Sequence, residues 1–540
     1  MSATHYDGII IGGGHNGMIT AAYMAKAGLK VAVFEGRPQV GGGFATEECT
    51  APGFKHNIHA NYSKIHESPI QTDFNLDRYG ISYVFPEPKK AFIRHDSYFL
   101  YYQNRERTYE EIKNVSKNDA ETFRVVSEKW WKWYLDFVLP EMYSIPQRPD
   151  QWASEIAAKP GGKEYLDVVL NYSPLQYAQE VFETEYCQLA FIRGATSAEY
   201  DVNSKGISCM VFETILSWFI GQTAWVVGGI RSIPLALARV VRENGGHVFE
   251  NQRVAKILIE AGAAKGVVLE DGREIHADRF IASSINPVLT FSFLIDEDKL
   301  PAKVADKVAK FKFKGSSLFR VHLALKERPR FTMGKRAPEL DDAWKFTIGF
   351  ETPGDFVRMT EQVISGRMPD VTGVDAGLNS IFDRTIAPAG GHVMYVGLPA
   401  PFELAEGGAG RWADIGREAG EKLLDKLREY APNLTNDKIA GRFVYTPKDI
   451  ETYLPDMIEG DICQGKICPE QVGFDRPFRG MSQYRTCFDK LYLCGASSHP
   501  GGCAHGGPGY NAALAIAADL KIKKWWPNYD PYKAVKPWER

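Results

Sequence analysis

The sequence predicts an α/β protein: a Rossmann-type domain assembled from discontinuous segments, a mixed α+β second domain and a helical inserted lobe. Three observations predict it. The first 35 residues read as strand, glycine turn, helix, strand and acid. A second strand with a glycine-rich turn lies near the other end of the chain, at residues 491–511. At 540 residues the chain exceeds one ordinary core, so two to four domains or lobes are expected.

The N-terminal unit can be justified part by part. An apolar run at residues 6–11 leads into Gly12-Gly13-Gly14-His15-Asn16-Gly17. A small-residue helix follows at 18–28, then a second apolar run at 30–34 ends in Glu35. Gly12 lets the chain turn out of the strand, Gly14 lets backbone N–H groups approach a pyrophosphate, and Gly17 lets the helix pack closely on the sheet. The helix N-terminus, opening at His15 and Asn16, carries orphan N–H groups and partial positive charge. Glu35 stands 23 residues after Gly12 and can accept hydrogen bonds from both ribose hydroxyls. A 2′-phosphate would be repelled there, which disfavours NADP. Gly36 and Arg37 follow, and Gly41-Gly42-Gly43 form a second glycine-rich loop able to continue around the same ligand.

Further along, residues 110–220 carry aromatics at helical spacing and read as the inserted lobe. The stretch 210–229 reads as buried helix leading into a loop. Nucleotide-domain character returns at Gly228-Gly229-Ile230, before a helix at 233–244 ended by Gly245-Gly246. Short strands are expected at 247–249, 255–259 and 264–269, then a tight Asp271-Gly272 turn and strands at 274–276 and 278–282. Residues 300–460 mix both element types. A buried strand at 490–496 then precedes Gly506-Gly507-Pro508-Gly509-Tyr510-Asn511, which opens an alanine-rich helix at 512–519. The expected division is 1–75, 222–295 and 475–540 for the nucleotide domain, 76–221 for the helical lobe and 296–474 for the substrate-binding domain.

Composition bounds the function. Hydrophobic residues make up 44% and charged residues 24%, the range of a folded globular chain. The net charge of −3, from 64 basic and 67 acidic residues, provides no general attraction to nucleic acid. Eight scattered cysteines form no disulfide framework, and MSATHYDG lacks the regions of a signal peptide, so a cytoplasmic protein with reduced thiols is expected. No apolar stretch is long enough to span a bilayer. Two aromatic–basic clusters, Lys129-Trp130-Trp131-Lys132-Trp133-Tyr134 and Lys521-Ile522-Lys523-Lys524-Trp525-Trp526, would suit peripheral membrane contact. A helix whose aromatic face packs on the core is the favoured reading of both.

Two helix N-termini from opposite ends of the chain suggest one long ligand held at its pyrophosphate and at its ring. No second complete unit for NAD(P)H is present, so FAD is the expected cofactor. These motifs together resemble the FAD-dependent phytoene desaturase and carotenoid isomerase superfamily of amine-oxidase-like flavoproteins. Within it they are most similar to phytoene-dehydrogenase-like proteins of the pyridine nucleotide-disulfide oxidoreductase domain 2 type. Residues 7–17 with Glu35 and residues 491–511 carry the resemblance. Val40-Gly41-Gly42, Pro52-Gly53-Phe54, the 228–254 segment, Asp383-Arg384-Thr385-Ile386-Ala387-Pro388 and Gly460-Asp461-Ile462 support it.

The resemblance implies that Glu35 binds the adenosine ribose, Gly12, Gly14 and Gly17 the pyrophosphate, and the Val254 backbone the adenine. It implies that Gly495 and Ala496 approach the ribityl chain, and that Gly507, Gly509, Tyr510 and Asn511 lie beside the isoalloxazine. Two positions depart from the pattern. Position 43 is glycine where the family often has arginine, so a cationic contact is missing or comes from Arg37. Asn57 falls in a segment where the family often has aspartate.

The expected chemistry is FAD-dependent dehydrogenation or desaturation, with a hydride passing from a largely apolar, isoprenoid or alicyclic, substrate to flavin N5. The electrons would pass on to oxygen, a quinone or a partner protein. A flavin-dependent isomerase, an amine oxidase or a catalytically weakened binding partner are the alternatives. His59, His499, His505 and Tyr510 are the candidate catalytic residues, with hydrogen bonding to backbone or cofactor as the plainer role for each histidine. His56, His59 and His66 fit no standard zinc spacing, so no metal is expected. Cys463 and Cys468 have the spacing of a flavin-linked redox disulfide but lie far from the first nucleotide loop, and read as loop cysteines. The oligomeric state stays open.

Overall fold

The computed structural model describes residues 5–195, 201–206 and 221–538. Two seven-stranded sheets organise it. In the first, the central strand Glu274–Ser283 lies parallel to His5–Ile11, which is followed outward by Val31–Phe34 and His247–Phe249. On the other side stand Ala263–Leu269 and then Val254–Glu260, each antiparallel to the strand before it, and Leu491–Leu493 joins the far end of the central strand in parallel. The register matters for function. Ile11 pairs with Phe34 and Ser283, Ser283 with Leu493, and Phe34 with Phe249. Five parallel strands therefore end together, and ligands of such sheets bind at the carboxyl ends of the strands.

The helix His15–Lys26 leaves that edge. Its apolar residues go all the way round, and 10 of its 12 residues are buried, as expected of a helix enclosed by other elements. It is packed against Ser232–Glu243 and Gly507–Asp519. The strands expected at 274–276 and 278–282 form one ten-residue strand, in which residue 277 pairs with Tyr6 of the neighbouring strand.

The second sheet runs Ile439–Tyr445, Ser316–Leu325, His392–Pro401, Val374–Leu378, Lys345–Ile348, Lys90–Ile93 and Tyr98–Tyr101. All neighbours are antiparallel except Lys90–Ile93 on Lys345–Ile348. The hairpin at 90–101 therefore lies within the segment expected to be a helical lobe, yet it completes this sheet. Helix begins only at Arg105–Val115, where Asn104 accepts the Arg107 N–H, and continues through Lys117–Trp133 to Glu185–Ala195. Ser116 caps one helix and Ser173 closes a capping box with Gln176 on another, satisfying orphan N–H groups.

Both aromatic–basic clusters face inward. Trp130 and Trp133 are buried. Trp526 is buried too, and Trp525 stacks on Tyr23, donates to its carbonyl and lies under the Lys26 ammonium. Of the helix expected at 210–229, residues 210–220 lie outside the described residues. Trp225–Val226 is a two-residue strand paired with Tyr83–Val84. Among the described residues no helix is long and apolar enough to cross a membrane.

Candidate active site

One cavity of about 450 Å³ runs from the carboxyl edge of the first sheet to one face of the second. Its first end is built by the N-terminal unit. Gly12 turns at φ +89°, which favours glycine. A Cβ on Gly17 would stand 2.4 Å from the Gly12 carbonyl oxygen and 2.8 Å from Ser284 Oγ, so only glycine lets the helix approach the strand this closely. Gly14 is the opposite case: a Cβ there meets no atom within 4 Å, and the residue lines the cavity. The first turn of its helix holds no acidic residue and the cap no side-chain acceptor, so its N–H groups remain for a ligand.

Glu35 lies beside this turn. Its two oxygens accept the N–H groups of Gly13, at 2.7 Å, and Arg37, at 2.8 Å. An ionised carboxylate has about four acceptor sites, so capacity remains toward the cavity. Burial raises the Glu35 pKa, opposed by those two N–H groups and by Arg37 and Arg253. Gly36, Gly42, Val254 and Asn16 also line the cavity. His15 stacks on Phe44 at 3.9 Å, and among the described residues its buried Nε2 has no partner, nor has Arg37 Nη1. Both residues line the cavity. An open glycine at a bare helix N-terminus and these two orphaned polar atoms fit a bound dinucleotide.

The two departures from the expected pattern have packing reasons. A Cβ on Gly43 would lie 3.1 Å from the Met457 methyl, so a larger side chain would have to displace it. Arg37 lies over the Tyr453 ring and pairs with Glu47 while lining the cavity. Asn57 Oδ1 accepts from Thr46 Oγ1 at 2.8 Å and from the Ile230 N–H at 3.2 Å, joining three segments.

At the C-terminal turn the wall is formed by Ala496 and by Gly502-Cys503-Ala504. Gly495 lies behind, where a Cβ would stand 2.3 Å from the Ser284 carbonyl oxygen. Gly507, Gly509, Tyr510 and Asn511 are not brought to the cavity, contrary to expectation. A Cβ on Gly509 would strike the Asn16 carbonyl oxygen at 2.3 Å, so this turn serves helix-on-helix packing. Gly507 packs on Pro500 and the Met142 carbonyl, Asn511 donates to that carbonyl, and Tyr510 sits between Tyr23 and Tyr143.

Of the candidate catalytic residues only His59 reaches the cavity. Its buried Nδ1 has no partner among the described residues, and its Nε2 lies 3.4 Å from the Tyr445 hydroxyl. Burial, with the charges of Arg320 and Arg37, lowers its pKa to about 3. His499 Nε2 contacts the Glu141 carbonyl, and His505 Nδ1 accepts the Gly507 N–H at 2.9 Å. Burial lowers their pKa values to about 4 and about 3. Among the described residues His499 Nδ1 and His505 Nε2 find no partner, and neither histidine nor Tyr510 lines the cavity.

The far end of the cavity is walled by the second sheet, through Leu318, Arg320, Lys345, Asp375, Tyr395 and Pro399, and by His59, Asn61 and Tyr62 opposite. None of the residues from the second sheet was foreseen. The alternation of strands at 316–325 and 392–401 was the available signal, since it sets Arg320 and Tyr395 on one face. Among the described residues, no group of three or more His, Cys, Asp or Glu side chains could hold a metal ion. Cys463 lines the cavity and both it and Cys468 are free thiols.

The family model for flavin containing amine oxidoreductases matches residues 17–374. The chain is 31% identical to one of the subunits of the limonene dehydrogenase of Castellaniella defragrans, over 98% of each chain. It is 26% identical to pyridine nucleotide-disulfide oxidoreductase domain-containing protein 2 of Rattus norvegicus, over 96% of this chain and 94% of that one. Among solved structures, an oxidoreductase from Methanosarcina mazei superimposes with a TM-score of 0.60 at 17% identity, covering 95% of this chain and 99% of that one.

Proposed function

The chain belongs to the flavin containing amine oxidoreductase family and is an FAD-dependent oxidoreductase, and from that premise we propose that it dehydrogenates a largely apolar, alicyclic or isoprenoid, substrate in the chamber against the second sheet. One observation carries this reading: a single cavity is lined by Glu35 and Val254 at one end, by Gly14 and Ala496 midway, and by Leu318 and Tyr395 at the other. Residues at the first two places would hold a dinucleotide, and the third would be left for substrate. The relative named as a limonene dehydrogenase suggests the substrate class.

When bound, FAD supplies a two-electron acceptor for a hydride. The residues of the chain do the remainder. The N–H groups at Gly14, His15 and Asn16 hold the pyrophosphate, Glu35 holds the ribose, and Val254 meets the adenine. Leu318, Pro399, Tyr62 and Phe44 exclude water and orient the substrate carbon, which is where most of the rate would come from if no acidic proton assists. His59, with a pKa near 3, is uncharged at neutral pH. It positions substrate through a hydrogen bond and does not store a proton. The electrons of the bound flavin would pass on to oxygen, a quinone or a partner protein. The packing reasons at Gly43 and Asn57 remove the grounds for a weakened, binding-only flavoprotein. In this reading residues 1–75, 222–295 and 475–540 form the cofactor domain, and the hairpin at 90–101 belongs with the substrate domain.

The test is anaerobic mixing of the flavin-loaded protein with cyclic and acyclic terpenes, their alcohols and carboxylic acids, and amines. Loss of the flavin's visible absorbance with a hydrocarbon, its alcohol or its carboxylic acid is the expected result. Bleaching by amines alone, or by none of the compounds, overturns the proposal.

A further inference from the structure

The second sheet presents an unusual row of side chains to the chamber. In register across it stand Tyr101, Lys90, Lys345, Gly377 and Tyr395. Two residues along, on the same face, the row reads Thr347, Asp375, Gly397 and Arg320. Lys90 and Lys345 are direct neighbours on adjacent strands, a like-charge pairing that destabilises a sheet by itself. Lys90, Lys345, Arg320 and Asp375 all line the cavity, and Arg193 joins them from the helix Glu185–Ala195.

Among the described residues charge is not balanced there. Asp375 is engaged by Arg193 and by the Thr347 hydroxyl. Lys345 Nζ donates to the Tyr395 hydroxyl at 2.9 Å and to the Asn61 carbonyl at 3.2 Å, both neutral. Arg320 Nη1 donates to the His59 carbonyl at 2.9 Å, and its guanidinium lies over the Tyr395 ring. The Lys90 ammonium lies over the Phe92 ring. Among the described residues none of these three cations pairs with a carboxylate. Burial, and then the charges of Arg320 and Lys90, push the Lys345 pKa well below that of an ordinary lysine. Burial and Arg193 do the same to Lys90. Cations desolvated together without an anion are unfavourable, and an anion among them removes the penalty.

We propose that Arg320, Lys345 and Lys90 bind the carboxylate of the substrate, so that the substrate is an apolar frame bearing a single carboxylate. The inference rests on the chamber being the substrate site. A carboxylate accepts from a guanidinium and an ammonium at once, while Leu318 and Pro399 on the same face flank the apolar part. Asp375 is already held by Arg193, and among the described residues no other carboxylate lies against the three cations to receive an amine.

The flavin-loaded protein should be titrated with octanoate, octanol and octylamine, following perturbation of the flavin spectrum. Octanoate is expected to bind at least ten-fold more tightly than either of the others. Lys345→Met and Lys90→Met, at unchanged flavin content, should each weaken octanoate binding ten-fold or more and leave octanol within two-fold. Equal or tighter binding of octanol or octylamine to the unaltered protein overturns the inference, whether or not the variants fold. So does octanoate affinity that both substitutions leave unchanged. Octanoate selectivity without flavin bleaching by any compound upholds the carboxylate site while counting against the dehydrogenase reading. Bleaching by neutral terpenes without octanoate selectivity does the reverse.

Discussion

Gly14→Ala separates cofactor binding from folding. Gly14 has φ −63° and ψ 163°, values an alanine adopts, and its Cβ would meet no atom within 4 Å. Two small terms act on the cofactor-free protein. Alanine is a poorer helix N-cap than glycine by about 0.5–1 kcal/mol, and it stabilises by about 0.4–1 kcal/mol through the unfolded chain. They nearly cancel. The new methyl instead stands in the cavity, where the N–H groups of the turn meet the pyrophosphate. Losing one charge-assisted hydrogen bond costs about 1.5–3 kcal/mol, which at about 1.4 kcal/mol per decade is roughly ten- to one-hundred-fold in the Kd for FAD. The assay is titration of the deflavinated protein with FAD, followed by quenching of FAD fluorescence, with thermal unfolding recorded with and without FAD. The variant should melt with the unaltered protein when FAD is absent and below it at equal FAD, because stabilisation by ligand shrinks as Kd rises. An unchanged Kd, or a large loss of stability without FAD, refutes the reasoning.

The neighbouring glycine behaves differently: in Gly17→Ala the Cβ meets the Gly12 carbonyl at 2.4 Å, so unfolding by urea should show a loss of about 1–3 kcal/mol with or without FAD. Tyr510→Phe should keep kcat within about three-fold, because the ring packs on Tyr23 and Tyr143 away from the cavity, whereas loss of an acid–base catalyst lowers rates by roughly 10²-fold or more. His505, with its pKa lowered from 6.5 to about 3, binds its proton more readily in the unfolded chain. Its contribution to stability is therefore full above pH 6.5 and lost as pH falls toward 3, at up to about 1.4 kcal/mol per pH unit. Melting temperature against pH should consequently fall less steeply between pH 6.5 and 4.5 in His505→Gln than in the unaltered protein, and parallel curves would contradict this.

The N-terminal strand–turn–helix–strand unit was legible because its physics is local. Gly12, Gly14, Gly17 and Glu35 lie within 24 consecutive residues, and each acts through a backbone angle, an absent Cβ or one carboxylate. The C-terminal turn looked similar but its glycines do two jobs. Gly495 and Gly509 are required by the Ser284 and Asn16 carbonyls against which they pack, and only Ala496 and residues 502–504 reach the cavity. A glycine that permits close packing and one that admits a ligand carry the same letter, so spacing alone could not separate them. The hairpin at 90–101 was missed for another reason: its partner, Lys345–Ile348, lies more than 250 residues away, and such pairing leaves no local periodicity. The substrate face inherits that difficulty. Arg320, Lys345, Tyr395 and Lys90 come from four strands, and each alone reads as a polar residue in an ordinary sheet. Only their register converts them into one surface. It follows that the cofactor end, specified within one supersecondary unit, can stay fixed while substitutions on the sheet face change the substrate. Exchanging Lys345 or Lys90 for an apolar residue should therefore move substrate preference without disturbing FAD affinity, which in the proposed reading depends on Gly14 and Glu35.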